Sequence, residues 1–419
     1  MHQYNMANDK QGTGKLVVIG GGAAGFFCAV NAARLHPGLE VTVLEKTGKL
    51  LSKVKVSGGG RCNVTHNLHS IAEMTKRYPR GERFLKKAFS RFFVPDTIEW
   101  YAARGVELKA EDDGRMFPVT DNSQTIIDCL LREADRYRVN VRTHADVTSL
   151  ERTGEEWTVH LASGPVLKAR YVCVAAGGFA QAQKFGWLTA LGHSVEEPAP
   201  SLFTFNMPQN PVTELMGVSV PQAQVKIAGS KLQENGPLLI THWGMSGPVI
   251  LRLSAWGARY LQEQQYTFTL LVNWLPDFNE NSLRDAWPQW RLDMGGQVIW
   301  AKNPFGLPQR LWHFLLQQAG IHENVRWSEL PAKEQNKLIR SLTAMEFPVK
   351  GKTTFKEEFV TCGGIRLGEI DPNTMQSRIA PGLYFAGEVM DVDGITGGFN
   401  FQHAWTSGWI AAQLEGAVV

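Results

Sequence analysis

Lys15-Leu16-Val17-Val18-Ile19-Gly20-Gly21-Gly22-Ala23-Ala24-Gly25 decides the fold. Its β-branched run suits a buried parallel strand. The run opens directly onto a string in which Gly20, Gly22 and Gly25 match G-x-G-x-x-G. Helical spacing continues through Phe26, Ala29, Val30, Ala33 and Leu35 to Pro37-Gly38, and a second strand, Glu40–Leu44, delivers Glu45 20 residues after Gly25. The first glycine permits the tight turn, the second lets a pyrophosphate approach the backbone, and the third lets helix and strand pack closely. Unpaired N–H groups at the helix start then face the phosphates, and Glu45 is placed to accept hydrogen bonds from a ribose. The glycine triplet alone is a weak signal. Strand, helix, second strand and terminal acid in sequence make it a dinucleotide site.

Two look-alikes fail: Gly14-Lys15 is followed by Leu16, and Gly351-Lys352-Thr353 lacks the glycine five residues earlier, so neither is a phosphate-binding Walker loop. A chain of 419 residues has room for two cores. Its 43 Lys and Arg against 40 Asp and Glu leave a net charge of +3, which offers no electrostatic footprint for nucleic acid, and none is expected as a partner. Lys76–Arg91 is locally basic, but Tyr78, Phe84, Leu85 and Phe89 interrupt it. The outer face of an amphipathic segment is preferred there over a polyanion site. Cys28, Cys62, Cys129, Cys173 and Cys362 are scattered and odd in number, with no CxxC, which indicates reduced thiols rather than a disulfide framework or zinc site. Met1–Lys15 is polar and does not read as a secretory signal, and no apolar run approaches a membrane span. The expected location is the cytoplasm.

Lys53-Val54-Lys55-Val56-Ser57-Gly58-Gly59-Gly60-Arg61-Cys62-Asn63 reads as a compact, donor-rich loop able to line phosphates, with a flexible surface hairpin as its plain alternative. Cys62 reads as a half-buried packing thiol rather than a nucleophile. Farther on, Ser123–Arg138 is an amphipathic helix, and Val139–His144 and Trp157–Leu161 are short strands with a turn at Thr153-Gly154-Glu155. Ala169–Gly178 is a buried strand ending in glycines, the return strand of a doubly wound sheet. Composition changes near Glu196–Pro200. The segment beyond is strand-rich, with Gln222–Ile227, a turn at Glu234-Asn235-Gly236, Leu239–Gly244, a helix opening at Ser246-Gly247-Pro248, and the strand Tyr266–Val272. Helical pattern with Trp287, Trp290, Trp300, Trp312 and Trp327 fills Asn281–Met345, where the tryptophans suit core packing. These features predict an α/β fold: a doubly wound Rossmann-like domain from residues 1–193 and 350–419, and an inserted domain at 194–349, barrel-like with a helical appendage at about 281–345. Thr241, His242 and Ser246 form a polar knot within the insert. No catalytic triad or metal cluster is defensible from spacing, and no metal is expected.

Val360–Gly364 resumes the strand-then-glycine style. Pro381–Glu388 is a turn, a short buried strand and an acid. Asp391-Val392-Asp393-Gly394-Ile395-Thr396-Gly397-Gly398-Phe399-Asn400 leads into a helix from about Phe401 to Leu414, whose start offers a second positive dipole end. Asp391 and Asp393 lack the spacing of a calcium loop.

The strings Val18–Gly25 with Glu45, Lys53–Asn63, Thr241–Pro248, Val360–Gly364 and Gly382–Gly398 resemble the HI0933-like (YhiN/BaiN-type) bacterial flavoproteins, which have a glutathione-reductase-like FAD fold. Ser57–Asn63 and Gly387–Gly398 are the specific ones. The resemblance implies non-covalent FAD, with the insert lying over the flavin. It assigns the AMP half to Gly20, Gly22, Gly25 and Glu45, and the ribityl, phosphate or ring regions to Lys53, Gly59, Arg61, Gly387, Glu388, Gly397, Gly398, Phe399 and Asn400, with Gly363 and Gly364 bordering the ring. Ala23, Ala24, Lys46, Gly60, Cys62, Asn63, Val147, Ala176, Gly177 and Gly394 are also expected to bind the cofactor. His403 and Trp405 are placed near the flavin.

The implied activity is hydride transfer through flavin N5 with an unidentified small organic substrate. Reduction of an enone and oxidation of a C–H or C–N bond both remain open. Arg61 is the candidate for charge stabilisation, and His242 and His403 for proton transfer. No second G-x-G-x-x-G follows a strand, so NAD(P)H is expected as a visiting donor rather than as the tenant of its own domain. An FAD monooxygenase or oxidase is the enzymatic alternative, and a flavin-bearing redox sensor or interaction protein the non-catalytic one.

Overall fold

The computed structural model describes residues 14–353 and 360–415. The polar stretch Met1–Lys15 lies, up to residue 13, outside the described residues. Two compact units divide the chain, Met1–Ala199 with Val360–Val419, and Pro200–Phe359.

Lys15–Ile19 is the central strand of the first unit, and its Leu-Val-Val-Ile is buried on both faces, as a parallel strand covered by helices requires. It pairs in parallel with Glu40–Leu44 on one side and Tyr171–Val174 on the other. Asn140–Arg142 extends the sheet beyond the former and Leu383–Phe385 beyond the latter, so all five strands run one way. Helix Ala23–Leu35 makes the first crossover. The last helix, Phe399–Ala411, packs on it through Gly408, where a Cβ would lie 2.7 Å from the Ala24 carbonyl oxygen. An antiparallel meander, Val147–Thr153, Glu156–Leu161 and Leu167–Ala169, leads into the return strand. The turn predicted at Thr153–Glu155 joins the first two of these, and its partner is Val147–Thr153, a half-exposed strand that the apolar pattern did not reveal. Residues 194–197 stay with this unit: Ser194 O accepts from Arg366 N, and the Glu196 and Glu197 carbonyls lie against Gly363.

The second unit holds a seven-stranded antiparallel sheet, ordered 345–350, 267–273, 219–227, 233–241, 244–246, 204–206, 352–353. Its two outer strands are consecutive in the chain. Gly351 joins them, donating to Tyr266 O and accepting from Asn206 N, so the sheet curls towards closure as a barrel. Helices Glu280–Met294, Gln309–Ala319 and Ala332–Ala344 form the appendage. Trp287, Trp312 and Trp327 are fully buried in its core, while Trp290 and Trp300 pack partly exposed against it.

Four local expectations change. Asn235-Gly236 is not a turn but the middle of strand Gln233–Thr241. The reversal comes earlier, around Gly229, where Ile227 and Leu232 close the hairpin. Gly236 faces Ala223 where the register shifts and lies under the Arg252 guanidinium, so its lack of a side chain serves close approach. Lys53–Asn63 is not a free loop, since Ser52–Val56 is helical and the chain leaves the helix at Ser57–Gly59, where Gly58 and Gly59 take positive φ. The last helix begins at Phe399 rather than Phe401. Cys62 is wholly buried rather than half-buried.

Candidate functional site

The C-terminal edge of the parallel sheet is where the glycine segments of the first unit meet. At Gly20 (φ 116°) a Cβ would lie 2.2 Å from the Ala175 carbonyl oxygen, and at Gly25 one would lie 1.9 Å from that of Gly20. Two of the three motif glycines are therefore demanded by the protein's own packing. Gly22 is different: a Cβ there meets nothing within 4 Å. It precedes a helix with no side-chain cap and no acid in its first turn, so the first N–H groups and the dipole face outward uncompensated. Gly59, Gly60 and Gly177 face similar open space. Ala176 and Gly177 follow the strand whose Ala175 touches Gly20.

Glu45 ends the second strand. Its Oε2 accepts from Gly21 N at 2.9 Å and its Oε1 from the N and Oγ1 of Thr47, each at 2.8 Å. This bonding fixes the carboxylate beside the glycine turn and leaves lone pairs for a diol. Ala145 N donates to Glu45 O, and Lys46 pairs with Asp146 at 2.9 Å, which brings Val147 to the same rim.

Gly387 sits against Ala24, where a Cβ would lie 2.8 Å from that residue's own. The last helix grips it twice: Ser407 Oγ accepts from Gly387 N at 2.9 Å, and His403 Nε2 bonds Gly387 O at 3.2 Å. Next to it, Glu388 accepts from Thr361 N at 2.8 Å and pairs with Lys53 at 2.5 Å, joining the two ends of the chain across the site. Asn63, with its amide oriented so that its oxygen accepts from Gly398 N (3.0 Å) and its nitrogen donates to Thr65 O, ties the Ser57–Asn63 segment to the start of the last helix. Asn400 and Gly394 bond reciprocally at 2.8 and 2.9 Å. Phe399 stacks on His66, which also bonds Gly397 O at 3.0 Å, and Tyr78 donates to Phe399 O at 2.7 Å.

Several predicted residues take defined supporting places. Gly363 and Gly364 are buried with positive φ, pressed against the backbones of Glu196–Glu197 and Val389–Met390 respectively. Arg61 is held by Glu111 at 2.5 Å and by Asp121 at 3.5 Å, and its guanidinium lies 3.9 Å from the Phe117 ring centre. The hydrogen bond to Glu111 raises its pKa further. Cys62 is pushed up to about 12 by burial, so at neutral pH it is a thiol and not a nucleophile. Burial lowers His403 to about 4 and keeps it neutral. His242 belongs to the second unit, exposed between strands 233–241 and 244–246, with its ring against Trp243 and with Thr241 Oγ1 donating to Gly244 O.

Sequence reading missed Ser407, His66, Tyr78 and Glu111, each a lone polar residue without motif spacing. It also found no triad, whereas folding assembles Ser377–His193–Glu369, at 3.0 and 3.2 Å. Ser377 Oγ already accepts from Ile379 N and Ala380 N and is buried, so the trio is a structural relay that pins a loop. Among the described residues no group of His, Cys, Asp and Glu is arranged to hold a metal ion, and no helix is long and apolar enough to cross a membrane.

The residues present fit FAD. The cradle at Gly22, the free helix start and Glu45 suit its AMP and pyrophosphate, and the second helix start at Gly398, tied to the Ser57–Asn63 segment through Asn63, suits the flavin end. Fold and site together define a Rossmann-type FAD-binding protein. The chain belongs to the HI0933-like family, whose protein Rossmann domain matches residues 14–414, and is an FAD-dependent oxidoreductase. It is 33% identical over 412 residues to the ribosomal RNA dihydrouridine synthase of Escherichia coli K12, covering 95% of this chain and 96% of that protein. It is 28% identical over 408 residues to the 3-dehydro-bile acid delta(4,6)-reductase of Clostridium scindens, covering 95% and 98%. The solved 3-ketosteroid delta1-dehydrogenase of Sterolibacterium denitrificans shares its fold, at TM-score 0.50 and 13% identity, over 95% of this chain and 98% of that one.

Proposed function

We propose that this protein reduces a carbon–carbon double bond conjugated to a carbonyl, and that its substrate is uridine in ribosomal RNA. The observation that carries this reading is the match to the dihydrouridine synthase, which spans the cradle, the insert and the last helix alike. The second relative's name describes related chemistry, since a delta(4,6) bond system beside a 3-oxo group is conjugated as uracil C5=C6 is to its C4 carbonyl. The overall change is uridine plus NAD(P)H plus a proton giving dihydrouridine plus NAD(P)⁺. When bound, FAD would supply hydride-transfer chemistry between a reduced nicotinamide and the β-carbon of the conjugated system.

The chain's own residues bind, orient and support. Gly22 and its helix would hold the pyrophosphate, Glu45 the ribose, and the Gly398 helix start would offer a second positive dipole end to the flavin side. Neutral, buried His403 acts as a positioning residue through Gly387. Arg61, engaged by Glu111, anchors the Gly58–Gly60 turn. His242, exposed, is the proton-transfer candidate. The RNA reading departs from two expectations, a small-molecule substrate taken from the resemblance and no nucleic acid taken from net charge, and net charge sums over local asymmetry.

The test is anaerobic incubation of the purified holoenzyme with NADH or NADPH and ribosomal RNA lacking dihydrouridine, followed by nuclease digestion and mass spectrometry. A uridine gaining two hydrogens is the expected product. Bleaching of the flavin with no such product, together with turnover of a 3-oxo-4,6-diene steroid, would overturn the RNA assignment. An oxygen-dependent hydroxylated product would move the protein to the monooxygenases.

A further inference from the structure

We infer that the exposed basic face of residues 76–87 docks the phosphate backbone of the RNA, an inference that rests on the substrate reading above. Residues 71–90 carry six basic and two acidic side chains, a local excess of +4, while the whole chain totals only +3. The rest of the chain thus sums to −1, and in the other basic run, Lys46–Arg61, three of the five cations are held in ion pairs with Asp146, Glu388 and Glu111.

Folding puts these charges outside. Helix Glu82–Ala88 buries Phe84, Leu85 and Ala88 and exposes Arg83, Lys86 and Lys87. Lys76 and Arg77 are exposed just after helix Ile71–Thr75. Among the described residues Arg77, Arg83, Lys86 and Lys87 form no ion pair, and Lys76 has only the solvent-exposed Glu73 at 2.7 Å. Lys86 and Lys87 complement their helix's C-terminal dipole. That account does not reach Arg83, three and four residues before them on the same face, where like charges repel, nor Arg77. An external polyanion relieves all of them together.

The patch is also anchored to the cofactor cradle. Arg77 O accepts from Ile395 N, Tyr78 donates to Phe399 O, Arg80 forms a buried two-point ion pair with Asp393, and Gly81 lies against Val392. Residues 392–399 lead directly into the last helix, so a strand held on this face has its bases delivered beside the cradle. No exposed aromatic ring lies within 76–87 to stack a base, so the contact is electrostatic and indifferent to sequence.

The experiment uses the FAD-loaded protein, fluorescent single-stranded poly(U) and ribosomal RNA, with affinity measured across a salt series. The triple variant Arg83→Gln/Lys86→Gln/Lys87→Gln is expected to bind at least about tenfold more weakly, with the slope of log affinity against log salt reduced by about 2 to 3. Its FAD content and absorbance spectrum should match the parent's. A charge-matched control, Lys333→Gln/Lys337→Gln/Arg340→Gln on the helix Ala332–Ala344, is expected to bind like the parent. Equal affinity and slope in the triple variant and the parent would overturn the patch, even where the parent makes dihydrouridine. Equal weakening in the control would overturn it too, by reducing it to net charge. A parent that binds RNA through the patch but makes no dihydrouridine would leave the patch standing and remove the uridine reading.

Discussion

His403 and Glu45 show how one residue's role follows from what surrounds it. Glu45 is held by two N–H groups and a hydroxyl at a sheet edge, which fixes its carboxylate beside the glycine turn. His403 is sealed in the last helix with Nε2 on a carbonyl and Nδ1 unpartnered, so desolvation dominates and its pKa falls to about 4. A histidine depressed from an unfolded value near 6.5 binds more protons unfolded than folded between those two values. Its contribution is therefore complete above about pH 6.5 and is lost as pH falls towards 4, amounting to roughly 3 kcal/mol at most. Burial lowers His66 and His193 in the same direction, so the residue must be isolated by difference. Urea unfolding of the holoenzyme and of His403→Gln from pH 4 to 7 should show the variant with the flatter profile. Parallel profiles would refute the buried neutral histidine. The sequence made His403 visible as a candidate acid. Its neutrality was invisible there, because burial depends on residues packed from elsewhere in the chain.

At the scale of elements, the turn between the first strand and the first helix sorts its glycines by purpose. Gly20 and Gly25 are required by protein atoms, whereas a side chain at Gly22 would meet no protein atom, as the proposed pyrophosphate site needs. Gly25→Ala drives a methyl into the Gly20 carbonyl and should lower stability by about 1–3 kcal/mol or prevent folding. Gly22→Ala, at the N-cap and clear of protein atoms, should lower apoprotein stability by no more than about 1 kcal/mol and weaken FAD by at least about tenfold, about 1.4 kcal/mol. Denaturant melts of the apoproteins and fluorescence titration with FAD measure both. Equal effects of the two substitutions on stability would refute the division of labour. The element pattern itself was legible: the strand, its helix and the second strand fall where hydrophobic spacing puts them. Asn235-Gly236 misled because a turn dipeptide is only a local preference, and pairing with strand Ser219–Ile227 on one side and Gly244–Ser246 on the other outweighs it.

For the whole molecule, the cradle draws on segments as distant in sequence as Gly22 and Gly398, so cofactor binding is coupled to folding of the unit that contains both. FAD at about 100 times its dissociation constant should stabilise the protein by about 2.7 kcal/mol. Hydrogen exchange should register this as added protection in strands Lys15–Ile19, Glu40–Leu44, Tyr171–Val174 and Leu383–Phe385, and not in Ser219–Ile227 or Thr267–Asn273. Uniform protection across both sets would contradict that localisation. The sequence by itself determined the strand–glycine–helix unit, the acid at the end of its second strand and the dinucleotide class of ligand, because each depends on spacing within about thirty residues. Only the tertiary structure decided that Ser407 and His403 hold Gly387, that Asn63 meets Gly398, that Arg61 is engaged by Glu111, and that the basic run at 76–87 is anchored beside the cradle. Those contacts join residues up to more than three hundred positions apart, and their partners are chosen by packing geometry rather than by any local preference.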